Sequence, residues 1–233
     1  MCKVAIVSAL EREVSGLTRN CTRTEREYQG RKFIFFEQNE MVIVCGGIGM
    51  EAARWAAQAI IALYHPVLLQ SVGFAGALQA DLDVGDIFTP AVVVDARDGS
   101  RTRIAAGTGT LVTFMAVADE HQKASLERAY NAQAVDMEAA AVAAAAAAHG
   151  IQFAATKVIS DGLHFEMPGM SRFIDSQGKF RSIRFAGFVG LRPWLWRPVV
   201  TLASNSSKAA RNLGEYLQRS RRGATAAVEA NIP

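Results

Sequence analysis

The sequence predicts an α/β fold, a three-layer α/β/α sandwich around a central twisted mixed sheet, on three observations. Its apolar runs are short and lack clean polar alternation, segments of helical periodicity stand between them, and half of its 233 residues are hydrophobic. Strands buried on both faces read as continuous apolar stretches, and the interleaved helices are what covers those faces. The length suits one large domain. Residues 1–233 are therefore read as a single domain, with 162–222 a divergent basic and aromatic C-terminal segment.

In chain order, "KVAIVSAL" is a buried strand that stops abruptly at "EREV", and "KFIFFE" and "MVIVCGG" form a hairpin across the polar "QNE". The glycines of "CGGIGMEAARWAAQAIIALYH" allow a tight turn, after which apolar residues recur at helical spacing until His65-Pro66 stops the helix. "VLLQSVGFAGAL" is a second strand entering a glycine turn, "VGDIFTPAVVVDA" a third and "GTLVTFMAV" a fourth, followed by the helical "DEHQKASLERAY". After a short "AQAV" comes an alanine helix over 139–148, built from the best helix former, without a polar stripe and stopped at His149-Gly150. The strand "QFAATKVIS" then ends on Asp161. Beyond it the chain is rich in Gly, Pro and Ser, then mixes arginine with Phe and Trp. A final helix over about 199–218 leads into a polar tail.

Composition excludes several classes. Cys2, Cys21 and Cys45 are odd in number and lack C-x-x-C or His-rich spacing, so neither disulfides nor zinc is expected and a reducing cytosol fits. The apolar run at the N-terminus is too short for a signal peptide, and no apolar stretch nears the roughly 20 residues that cross a bilayer. A cytoplasmic protein is expected. The net charge of +3 hides an asymmetry: between Arg172 and Arg222 stand 11 basic residues against only Asp175 and Glu215. That pattern suits an anionic partner or a solvated basic tail. The arginines lack a recognition motif, so no nucleic acid is expected. "GGIGMEAA" has neither the G-x-G-x-x-G spacing nor the Walker Lys-Ser/Thr pair, and no organic cofactor or metal is implied.

Polar residues gather where apolar strands end: Glu11 and Glu13 after the first, the turn around Phe74, and Asp161 after the last. Ligands of open α/β sheets bind at the carboxyl ends of strands, so these pieces are expected to converge, with the Met137-Glu138 pair at the head of the alanine helix joining them. Simpler roles compete for each. Glu13 could belong to a solvated helical turn, Asp161 could be a turn or capping aspartate, Phe74 and Val117 could be core, and acidic residues suit any helix N-terminus.

The fragments "ALEREV", "GGIGMEAA", "GFAGAL…DVGDI", "VDMEAAAVA" and "VISD", in that order over residues 3–161, resemble the nucleoside phosphorylase superfamily, especially its methylthioadenosine/S-adenosylhomocysteine nucleosidases. The resemblance implies a phosphorylase/hydrolase-like fold and cleavage of an N-glycosidic bond. Carried over residue by residue, it makes Asp161 the acid that protonates purine N7 and Glu13 the group that activates water. Glu138 holds the ribose hydroxyls, Met137 packs on the sugar, and Ser160 lies beside the base, with Phe74 and Val117 lining the base pocket. A carboxylate can accept two hydroxyl hydrogen bonds, and a helix N-terminus is expected to keep Glu138 ionised. Asp161 must hold a proton when needed, which burial at a strand end would favour.

Three departures follow. Phe74 stands where relatives place a serine that in phosphorolytic members helps bind phosphate, and Ser71 replaces an arginine, so inorganic phosphate as a co-substrate would need Arg12 or the backbone of residues 46–49. The stretch 94–111 is short, implying an open pocket mouth. The segment after Asp161 resembles the hopanoid-associated phosphorylases, which implies adenosylhopane as substrate and release of adenine. The nucleophile, phosphate or water, stays open. Two alternatives stand beside this reading: a nucleosidase for methylthioadenosine or S-adenosylhomocysteine, and a non-catalytic nucleoside- or lipid-binding protein. The family implies a homo-oligomer, most often a dimer. The Trp, Phe and Arg mixture suits either peripheral contact with the inner membrane surface or ordinary packing.

Overall fold

The computed structural model describes residues 2–165, 169–175 and 177–229. Residues 166–168 and 176 of the divergent segment lie outside the described residues. In chain order the elements are β1 (Val4–Ser8), α1 (Ser15–Thr18), β2 (Thr22–Tyr28), β3 (Arg31–Gln38), β4 (Met41–Cys45), α2 (Met50–Tyr64), β5 (Leu68–Ala77), β6 (Ile87–Phe88), β7 (Val92–Asp95), β8 (Arg101–Arg103) and β9 (Thr110–Thr113). They continue with α3 (Glu120–Tyr130), β10 (Ala134–Asp136), α4 (Ala139–Ala148), β11 (Gln152–Asp161), α5 (Ser182–Gly190) and α6 (Trp196–Glu229).

The strands form one mixed sheet in the order β2-β3-β4-β1-β5-β10-β9-β7-β8, with β11 and then β6 branching from β5. The first half of β5 is flanked by β1 and β11, both parallel to it, while its end at Gly76 and Ala77 pairs antiparallel with β10. The carboxyl ends of β5 and β11 therefore come level, Asp161 opposite Gly76.

The missing alternation has a direct cause. Ala5 and Val7, Phe33 and Phe35, and Val42 and Val44 pack with α2 and α4 on one face. Their neighbours Ile6, Phe36 and Ile43 pack with Val72, Val158 and, from α6, Ala209 and Leu213 on the other. Both faces are covered, so both parities are apolar.

Several sequence expectations are corrected. The polar β2 and β8 pair as partners to β3 and β7 although neither carries an apolar run, because each lies at an edge of the sheet and is held by its ladder to the neighbouring strand. "VGDIFTPAVVVDA" forms two strands, β6 and β7, since Pro90 cannot donate to a ladder. β9 ends at Thr113, short of the stretch through Val117. The last helix starts at Trp196 and runs to Glu229, beyond the expected limit near 218.

Candidate active site

Glu13, Phe74, Val117, Met137, Glu138, Ser160 and Asp161 all line one cavity of about 140 Å³. They come from the turn after β1, from β5, from the loop after β9, from the head of α4 and from the end of β11, so no pair close in sequence except Met137-Glu138 and Ser160-Asp161 builds it.

Glu13 closes a 3-10 turn at Glu11–Glu13 that follows β1, and it is buried while Glu11 and Arg12 are exposed. The solvated-turn alternative is thereby removed for Glu13. Ser8 Oγ donates to its Oε2 at 2.7 Å and the Leu10 N–H donates to the same atom at 3.3 Å. Oε1 has no donor among the described residues. Burial raises the pKa of Glu13, opposed by Ser8 and the Lys157 charge, which makes its carboxylate a stronger base. A side chain on Gly73 would place its first carbon 2.7 Å from Oε2, so only glycine leaves room there.

The "VDMEAAA" head divides its carboxylates between two tasks. Asp136 is structural: Oδ2 accepts the Ala139 N–H at 2.8 Å and the Lys157 ammonium at 2.8 Å, and Oδ1 accepts Thr113 Oγ1 at 2.6 Å. Glu138 stands at the N-cap position of α4 without capping it. Its Oε1 instead accepts the Gly49 N–H, 89 residues away in sequence, at 2.7 Å. Burial and the neighbouring Asp136 push its pKa up to about 8 despite Lys157. Desolvation thus opposes the helix terminus expected to keep Glu138 ionised.

Asp161, at the end of β11 where burial is expected, is half-buried and paired with a cation. Lys123 of α3 donates to its Oδ2 at 2.6 Å and to Gly162 O at 2.7 Å, and Ser160 Oγ donates to Oδ1 at 2.9 Å. Lys123 is only 1% exposed. Gly76 makes space, since a Cβ there would lie 2.7 Å from Oδ2. Phe74 forms part of the wall beneath the Arg12 guanidinium, 5.8 Å from its ring centroid, and the half-buried Val117 lines the same cavity.

Three groups escaped the sequence reading. Lys157 lies buried between Asp136 and Ser71 Oγ, to which it donates at 3.0 Å. Burial opposes its charge, but Asp136, Glu138 and Glu13 outweigh it and hold the pKa up. A lone cation inside the apolar run "QFAATKVISD" signals a buried carboxylate partner. Lys123 and Ser8 carry no such signal, one being an ordinary residue of a polar helix and the other of a strand end.

The glycine loop offers less to an anion than its sequence suggests. The N–H groups of Gly46, Gly47, Ile48 and Gly49 donate to Ser8 O, Ala9 O, Gly178 O and Glu138 Oε1. Of the two phosphate-binding options, Arg12 and this backbone, the backbone has its donors already engaged. Among the described residues no group of His, Cys, Asp and Glu is disposed to hold a metal ion.

The fold and this carboxylate-lined cavity define an α/β protein of the phosphorylase/hydrolase architecture. A family model for the phosphorylase superfamily matches residues 3–110 and 103–182. The chain belongs to that superfamily. It is 33% identical over 88 residues to the 5'-methylthioadenosine/S-adenosylhomocysteine nucleosidase of Hydrogenovibrio crunogenus, covering 36% of this chain and only 38% of that relative's length. In fold it matches the nucleosidase of that name from Campylobacter jejuni, with a TM-score of 0.66 at 16% identity over 94% of this chain and 100% of the other. Futalosine hydrolase of Helicobacter pylori gives a TM-score of 0.68 at 16% identity, covering 93% of this chain and 96% of that one.

Proposed function

We propose that this chain cleaves the N-glycosidic bond of a 5'-modified adenosine and releases adenine, with water as the attacking group and adenosylhopane as the favoured substrate. The observation that carries the reading is the meeting of Glu13, Glu138 and Asp161 around one cavity. Breaking the bond between C1' and N9 leaves positive charge on the ribose and negative charge on the base. The Lys123 ammonium, 2.6 Å from the Asp161 carboxylate, supplies the proton that Asp161 relays to N7 as the bond to N9 breaks. Glu13, through the Oε1 that has no donor among the described residues, takes a proton from water as oxygen bonds to C1'. Glu138 accepts the ribose hydroxyls, and Met137 packs against the ring.

Hydrolysis is favoured over phosphorolysis because the loop N–H groups are engaged, Phe74 stands where a serine would be, and Ser71 serves the buried Lys157. A bulky 5' substituent is favoured because Phe165, Met170, Ile174 and Leu202, all from the divergent segment, wall the cavity. A second reading, a nucleosidase for small thioethers, is favoured by the Hydrogenovibrio crunogenus likeness. Adenine release from adenosylhopane, 5'-methylthioadenosine and S-adenosylhomocysteine, each with and without phosphate, tests both. Phosphate-independent release, fastest from adenosylhopane, is expected. A requirement for phosphate removes hydrolysis, faster turnover of the small thioethers favours the second reading, and adenine binding without turnover leaves only a binding protein.

A further inference from the structure

We propose that the corner joining α5 to α6 is a docking surface for an anionic phospholipid bilayer. The inference deepens the reading of a lipid-linked substrate but stands on a separate surface. Large apolar side chains are scattered singly elsewhere on the molecule, at Val67, Met115 and Tyr216. Within residues 183–200, by contrast, Ile183 is 90% exposed, Leu191 81%, Trp194 70%, Val200 67% and Trp196 53%. Concentrated apolar exposure of this kind marks an interaction site rather than chance.

The corner is held together without burying those groups. α5 has no buried residue. Trp196 Nε1 donates to Val189 O at 3.1 Å, and Arg192 donates to Phe188 O at 3.0 Å while its guanidinium stacks 3.9 Å from the Phe188 ring centroid. Phe185 and Phe188 turn inward onto Phe173. Trp196 and Val200, four residues apart on α6, share a helix face.

Charge selects the occupant. From Asp175 to Glu215 the chain carries seven basic residues and no acidic one between them. Arg184 and Arg197 are exposed and make no ion pair among the described residues. A second copy docking through this face would bring like charges together, whereas an anionic bilayer accepts arginine at its head groups and tryptophan at its interface. The placement gives the surface a purpose: Leu202 and Ser206, just beyond Val200 on α6, line the catalytic cavity. No helix among the described residues is long and apolar enough to cross a membrane, so the contact is peripheral.

The test is co-sedimentation of the full chain with vesicles of phosphatidylcholine alone and of phosphatidylcholine mixed with phosphatidylglycerol. Binding to the mixed vesicles, weakened by salt and absent with phosphatidylcholine alone, is expected. The triple variant Ile183→Asp, Leu191→Asp, Trp194→Ser should abolish it while the Tm and the cleavage of 5'-methylthioadenosine stay unchanged. Arg184→Gln and Arg197→Gln should each weaken partitioning about fivefold. In the unmodified chain, tryptophan quenching by brominated lipid should accompany binding, a readout that does not depend on any variant folding. The proposal is overturned if the chain stays in solution with both vesicle types, binds both equally without salt dependence, or proves to be a dimer that the triple variant dissociates. Vesicle binding, its salt dependence and the quenching are read without turnover. Loss of the enzymatic reading with vesicle binding intact, or the reverse, is therefore directly visible.

Discussion

At the residue scale the site works by keeping carboxyl groups apart in chemical character. Asp161 is tied to a buried cation, Glu13 is desolvated with one oxygen lacking a donor among the described residues, and the pKa of Glu138 is pushed up to about 8. Replacing Asp161 with Asn should lower adenine release by about 10²–10⁴-fold without loss of folding, measured as kcat beside a circular dichroism melt; unimpaired turnover would remove this acid from the mechanism. Lys123→Met should lower kcat more than it changes KM and alter the pH profile, with Lys123→Arg restoring much of both. A structural role alone would leave the profile unchanged. The ligand-free stability carries a further signature. A carboxyl whose folded pKa lies above its unfolded value of 4.5 favours the fold when protonated. That contribution is full below about pH 4.5 and is lost as pH rises through about 8. Denaturation midpoints of the ligand-free chain should fall across that window, and Glu138→Gln should flatten the fall. A slope that the variant leaves unchanged would show that Glu138 does not titrate there.

At the element scale small residues position the chemistry. Gly73 and Gly76 on β5 admit Glu13 and Asp161, and Gly46 lets α2 approach, since a Cβ there would lie 2.6 Å from the Ala56 Cβ. Ala56→Leu, a fully buried position, should cost about 1–3 kcal/mol by overpacking, read from urea unfolding. Gly76→Ala should instead spare most of the stability and abolish adenine release, because the added methyl displaces Asp161; full activity in this variant would contradict the close approach. The alanine helix α4 belongs to the same logic. Its fully buried Ala139, Val142 and Ala146 let it lie tightly against its neighbours, and its head then carries Glu138 to the Gly49 N–H.

At the scale of the whole molecule, the branch at β5 brings four strand ends to one place. A ligand bridging them should tie the molecule together, so adenine at about 100 times its Kd should add about 2.7 kcal/mol to unfolding free energy, with a matching rise in Tm. The rise should be much smaller in Asp161→Asn, and an equal rise in that variant would separate adenine from this cavity. The divergent segment adds the wall formed by Phe165, Met170 and Ile174 and, past them, the exposed corner of α5 and α6.

Much of this was legible in the chain itself. Continuous apolar runs alternating with helical ones fixed the α/β class, because burial on both faces leaves no room for polar alternation, and Glu13, Glu138 and Asp161 stood out as charges at the ends of such runs. The polar β2 and β8 were not legible, since an edge strand takes its identity from the neighbour it pairs with. Nor could the chain alone separate the capping Asp136 from the cavity-facing Glu138 two residues on, or mark Lys123 as the partner of Asp161. Those assignments depend on which donors lie within 3 Å, and Gly49 and Lys123, which donate to Glu138 and Asp161, come from 89 and 38 residues away. Desolvation and pairing are properties of neighbours brought together by folding, so only the tertiary structure decided them.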